Sequence, residues 1–124
     1  MSSVKSEKPH RKLKAWQESM QFCQTIYSCV QTFPREEQFG LTAQLKRSSI
    51  SVPSNIAEGA ARKNKKEFLQ FLYIARGSIN EIDTQIGIVK RLNYIGEEKY
   101  KEVISLLDEI SRLVNGLIGS LKNK

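Results

Sequence analysis

The sequence predicts an all-α fold: an antiparallel up-down-up-down four-helix bundle whose second helix is kinked at Pro53. Three observations carry that expectation. Apolar residues recur at alternating steps of three and four along four separate segments, the breaks between segments are short, and no stretch alternates apolar and polar residues as a half-buried strand would. A chain of 124 residues fits one such domain. The expected division is a mobile basic tail over residues 1–11 and a single bundle over 12–124.

The first segment places Leu13, Trp16, Met20, Cys23, Tyr27 and Val30 on one helical stripe, so a first helix is expected to run to about Phe33. Pro34 stops it. Arg35, Glu36 and Glu37 then read as a turn leading into the acid-rich first turn of a second helix, where carboxylates meet the positive end of the helix dipole.

On the second helix, Leu41, Leu45, Ser48, Val52, Ile56 and Gly59 form the core-facing side, and Gly59 admits a close neighbour. Beside them, Arg47, Ser51, Asn55, Glu58 and Arg62 fall within about 80° of one another, a polar row that adjoins the core. Ala43, Ile50, Ala57 and Ala61 make a second, small apolar stripe with no use in a monomer, which suggests a subunit interface.

Pro53 lies inside this helix, where it cannot donate to the Ser49 carbonyl and its ring presses on that group, hence the expected kink. Ser48, Ser49 and Ser51 can bond nearby backbone, and Asn55 with Glu58 can cap a restarted helix. Two readings of the polar row stand side by side. It is either a solvated kink or a network between the second and third helices, in which Arg47 reaches Glu81 and Ser51 lies near Arg76 and Ser78.

The third helix opens at Asn64, with Glu67 three residues on in capping-box spacing, and carries Phe68, Leu72, Ala75, Ile79, Ile82, Ile86 and Val89. "LNYIGEE" breaks the pattern. The fourth helix takes Tyr100, Val103, Leu107, Ile110, Val114, Leu117 and Leu121, and its Gly116 and Gly119 are either sites of close approach by another helix or simply tolerated.

"LTAQLKRSSISVPSNIAEGAAR" followed by "EFLQFLYIARGSINEID" closely resembles the four-helix-bundle family encoded in intervening sequences of bacterial 23S ribosomal RNA genes, which also includes the accessory variability proteins of diversity-generating retroelements. The most specific part is the set Arg47, Ser51, Pro53, Asn55, Ile56, Ala57, Glu58 and Gly59, together with the spacing of Ala75, Ser78 and Glu81. The resemblance implies a left-handed bundle assembled as a homopentameric ring. For the retroelement members it implies binding of nucleic acid and of a reverse transcriptase through basic surface residues.

Twenty Lys and Arg against 13 Asp and Glu give a net charge of +7, which favours phosphate-bearing or acidic partners. In an up-down bundle the chain start, the turn between the second and third helices and the end of the fourth helix share one pole. Lys5, Lys8, Arg11, Lys12, Lys14, Arg62, Lys63, Lys65, Lys66, Lys122 and Lys124 gather there, against Glu7, Glu58 and Glu67. Such a pole is expected to hold the phosphate backbone of structured RNA or a duplex with little sequence preference. Its alternative partner is an acidic protein surface.

Nothing catalytic is expected. His10 stands alone, and Arg neighbours make Glu58 and Glu81 structural ion-pair partners in place of a proton-transfer pair. Cys23 and Cys29 stand six positions apart, about 240° around a helix, which rules out a bridge within it and lacks metal-ligand spacing. No metal, no cofactor and no membrane span are expected, and the reduced cysteines and polar start point to the cytoplasm.

Overall fold

A computed structural model describes residues 8–123, all helical apart from short turns and with no strand among them. The four α-helices are α1 (Lys14–Cys29), α2 (Leu41–Ala60), α3 (Lys65–Arg91) and α4 (Glu97–Lys122). Pro9–Lys12, Val30–Thr32 and Arg35–Glu37 are single 3-10 turns. The tail expected over 1–11 therefore has regular structure from Pro9 onward.

Local chemistry explains the ends of the helices. α1 tightens into the Val30–Thr32 turn and stops at Phe33, which is extended at φ −72° and ψ 151° because the following Pro34 excludes the helical region. Arg35–Glu37 is a separate turn ahead of α2, and the first turn of α2 itself holds no acid, contrary to the expected acid-rich start. Its acid still serves α2 from outside, since Glu37 Oε1 accepts the Leu41 amide at 3.2 Å.

At α3, Asn64 Oδ1 accepts the Glu67 amide at 2.9 Å, while the Glu67 side chain makes no return bond, so one half of the expected capping box forms. α3 ends through Asn93 in the left-handed region (φ 62°), with Asn93 N–H bonding Lys90 O and Tyr94 N–H reaching back to Val89 O, both at 3.0 Å. That Schellman-type closure is the break seen in "LNYIGEE".

Each helix packs against two others: α1 on α2 and α4, and α3 on α2 and α4. The cross-helix bonds between α2 and α3 join Ser51 to Ser78 and Gln44 to Gln85, so a step toward the start of α2 is a step toward the end of α3. The core stripes expected for α2, α3 and α4 are buried along most of their length, from Leu45, Val52 and Ile56 through Leu72, Ile79 and Ile86 to Val103, Leu107 and Val114, while Leu41, Phe68, Tyr100, Leu117 and Leu121 are only partly buried and Ile118 is buried in addition. Burial of each such side chain contributes about 2 kcal/mol.

The stripe expected for α1 is displaced by one position. Ala15, Ser19, Phe22, Ile26 and Cys29 face the core, whereas Met20 is 45% and Tyr27 39% exposed; of the expected stripe, Val30 is buried and Leu13 and Trp16 pack partly buried against the core. α1 carries two neighbouring apolar rows with the same spacing, and periodicity alone does not say which of them the rest of the bundle covers.

α2 runs unbroken through Pro53. The Ser49 carbonyl, which loses its helical donor to that proline, accepts a bond from the Cys23 thiol on α1 at 3.1 Å. Asn55 caps no restarted helix. Its amide donates instead to the Ser51 carbonyl at 2.8 Å and to Ser51 Oγ at 2.9 Å.

Gly59 meets its expected neighbour. A Cβ there would lie 2.8 Å from both Phe68 Cδ1 and Phe71 Cβ. Gly116 and Gly119 meet none, because a Cβ at either finds no heavy atom within 4 Å. Close approach by another helix of this chain is thus not the reason for them, although each costs about 1 kcal/mol of helix propensity relative to Ala.

Candidate nucleic-acid interface

Three packing features bring the predicted basic residues to one pole. Leu13, Lys14 and Ala15 share a cleft with Gly116, Leu117 and Ser120, which sets the start of α1 beside the end of α4. Trp16 and Met20 share a groove with Pro53 and Ala57, which sets the same start beside the second half of α2. Gly59 lies against Phe68 and Phe71, which holds the α2–α3 turn tight.

The Pro9–Lys12 turn is fixed on this pole by contact with α1 and α2, by a Gln17 Nε2 bond to Arg11 O at 2.8 Å, and by His10, which packs edge-on against Trp16 at 4.9 Å between centroids. His10 is thus a packing residue of the pole. Lys8, Arg11, Lys12, Lys14, Arg62, Lys63, Lys65, Lys66 and Lys122 are all exposed there, whereas Lys5 and Lys124, like Glu7, lie outside the described residues.

Arg62 differs from the others. It bonds Glu58 at 3.0 Å and lies 4.8 Å over the Phe71 ring, so two partners hold it. Lys8, Arg11, Lys12, Lys14, Lys63, Lys66 and Lys122 form no ion pair with a carboxylate among the described residues. Their field is directed at solvent.

The polar row of α2 divides. Ser51, Asn55 and Ser78 form a bridge between α2 and α3, with Ser78 Oγ donating to Ser51 Oγ at 2.9 Å. Arg47 and Glu81 do not join it. Both are exposed and form no ion pair with each other, and Arg76 turns instead to Asn115 at 3.2 Å and to the Tyr73 ring at 5.0 Å. Two long charged side chains at the rim of the seam retain rotamer freedom and hydration that a pair would sacrifice.

The second apolar stripe of α2 acquires a counterpart that the sequence reading placed in the core. Trp16, partly buried against the core, and Met20 and Cys23 from the same row of α1 line an open groove of about 540 Å³ with Ile50, Pro53 and Ala57. Ile50 is 44% exposed within it. Burial pushes the Cys23 thiol pKa up, an effect that the Ser49 side chain only partly offsets.

A family model for 23S rRNA-intervening sequence proteins matches residues 11–116. The chain belongs to that family. A crystal structure of a protein of unknown function from the S23 ribosomal protein family of Bacteroides thetaiotaomicron VPI-5482 is similar to it, with 25% identity and a TM-score of 0.76 over 84% of this chain and 97% of that one. No curated protein matches the chain. Among its described residues, this member of the family has no helix long and apolar enough to cross a membrane.

Proposed function

We propose that this protein is a non-catalytic, cytoplasmic, homo-oligomeric accessory protein that binds structured RNA or duplex nucleic acid through its basic pole, with little sequence preference. The observation that carries this reading is that Lys8, Arg11, Lys12, Lys14, Lys63, Lys66 and Lys122 at that pole form no ion pair with a carboxylate among the described residues. A protein that used these lysines only for solubility would gain as much from charges interspersed with acids. Phosphates are the strongest available counter-charge, and they are neutralised without any reading of base edges.

The up-down-up-down topology belongs to this reading, supported by the opposed order of the α2–α3 bonds. So does the kink at Pro53, supported by the Ser49 carbonyl bonding outside its own helix. The groove of Trp16, Met20, Ile50 and Ala57 supports self-association. A pentamer, as the resemblance implies, aligns five basic poles into one rim, and the retroelement branch adds a reverse transcriptase as partner.

The test is a titration of binding against salt with RNA, DNA and polyglutamate. Nucleic acid is expected to bind more tightly than polyglutamate, and its affinity to fall steeply with salt. Equal binding of polyglutamate favours the second reading, a scaffold that docks an acidic protein partner, which the same open cations also fit. Ile50→Asp is expected to lower the sedimentation mass, and an unchanged mass removes the groove as the subunit interface.

A further inference from the structure

We infer that the cleft between the start of α1 and the end of α4 receives a single unpaired nucleobase of a bound strand, an inference that rests on the reading of the basic pole as a nucleic-acid site. The cleft measures about 310 Å³. Its walls are the aliphatic side chains of Leu13, Leu113 and Leu117, and its rim carries Lys14 and Arg112.

Gly116 keeps this space open. A Cβ there would touch nothing within 4 Å, so packing within the chain does not require glycine, and any larger side chain would extend into the cleft. Helical walls offer no row of alternating backbone donors and acceptors along which an extended peptide could pair.

On the α1 side the lining is only the N-cap Leu13 and the first two helical residues, Lys14 and Ala15. A docked helix spreads its anchors over two turns and has too little to rest on. One planar group fits better. A base offers two apolar faces to the leucines, and the phosphates on either side of it meet the rim cations.

Lys14 is without a carboxylate partner among the described residues. Arg112 donates to Glu109 through Nε at 3.3 Å and Nη2 at 2.5 Å, which orients its guanidinium plane at the rim for stacking. A blunt duplex keeps its bases stacked on one another and leaves the cleft empty. The preferred ligand is therefore a strand with an exposed loop or bulge.

The test compares an RNA hairpin, the same hairpin with abasic loop positions and the blunt stem duplex, by fluorescence anisotropy on the full chain. The intact loop is expected to bind about tenfold more tightly than the abasic one. Gly116→Leu is expected to erase that difference, leave duplex binding intact and hold or raise the melting temperature, because leucine favours helix over glycine. Gly77→Leu, at an exposed and open position on α3, is expected to change neither.

Equal binding of intact and abasic loops overturns the inference while leaving the basic-pole reading in place. A Gly116→Leu variant that loses polyglutamate and not the hairpin assigns the cleft to an acidic protein, and one that loses sedimentation mass assigns it to a second copy. No binding of any nucleic acid overturns both readings.

Discussion

The two poles of the bundle both carry cations, but at one of them three lysines are held in ion pairs, although Arg35 and Arg91 there form none among the described residues. At the pole where α3 turns into α4, Lys90 and Lys101 meet Glu97 at 3.0 and 3.9 Å, and Lys99 meets Glu102 at 3.0 Å. Glu37 accepts the Tyr94 hydroxyl at 2.8 Å, which raises the phenol pKa, and the Lys90 ammonium holds Glu97 below the usual carboxylate range. At the pole where α2 turns into α3, Arg62 meets Glu58, while Lys63, Lys66, Lys12 and Lys14 face no carboxylate among the described residues. The lesson is that a count of charges along a chain describes a field poorly. Acids that lie one helical turn from a lysine, as Glu97 and Glu102 do from Lys101 and Lys99, or across a turn from it, as Glu97 does from Lys90, cancel it locally.

The sharpest way to break this comparison is to reverse charge at each pole in turn. Lys63→Glu with Lys65→Glu and Lys66→Glu is expected to weaken RNA binding by about a hundredfold and reduce the salt slope by about three. The matched triple reversal of Lys90, Lys99 and Lys101 is expected to leave both within a small factor. Equal losses from the two triples would mean that net charge, not its placement, drives binding.

Gly59→Ala tests whether the α2–α3 turn must be tight for the basic pole to exist. Its Cβ meets Phe71 Cβ at 2.8 Å, so a loss of about 2 kcal/mol is expected in urea denaturation. A neutral result would show that the two helices separate at little cost.

Between the poles, Cys23→Ala leaves the Ser49 carbonyl without its donor and is expected to cost about 2 kcal/mol, most of which Cys23→Ser should restore. In a Pro53→Ala background, which returns the helical N–H, the cost of Cys23→Ala should shrink. An additive double mutant would mean that the thiol does not compensate for the proline.

The smallest effect belongs to the neutralised pole. The Glu97 carboxylate is favoured in the folded chain, so its contribution is full above the ordinary carboxylate range and fades as pH falls through it. Glu97→Gln should flatten the acid side of the melting-temperature profile slightly, since the pair is exposed. An identical profile would mean that the pair adds nothing.

Most of the fold could be read from the residues. The core rows of α2, α3 and α4, the Asn64 cap and the close neighbour of Gly59 follow from local spacing and hydrogen-bond chemistry that hold wherever the helix sits. On α1 the residues do not tell the core row from its neighbour, because Trp16, Met20 and Cys23 satisfy the helical period as well as Ser19, Phe22 and Ile26 do. Arg112 was missed as a companion of Lys14 because nothing within α4 marks it, and only the neighbouring α1 does. Arg47 and Glu81 were paired from helical register, which places two backbones opposite each other but does not draw two hydrated side chains together.

Sequence by itself determined four helices, their limits to within a few residues, and a surplus of positive charge, because helix periodicity, capping and net charge are properties of neighbours along the chain. Tertiary structure alone decided which apolar row of α1 is left at the surface, that the Cys23 thiol serves a carbonyl freed by Pro53, and which cations lack a carboxylate. These depend on contacts between residues far apart in the chain, and a periodic pattern leaves such contacts undetermined.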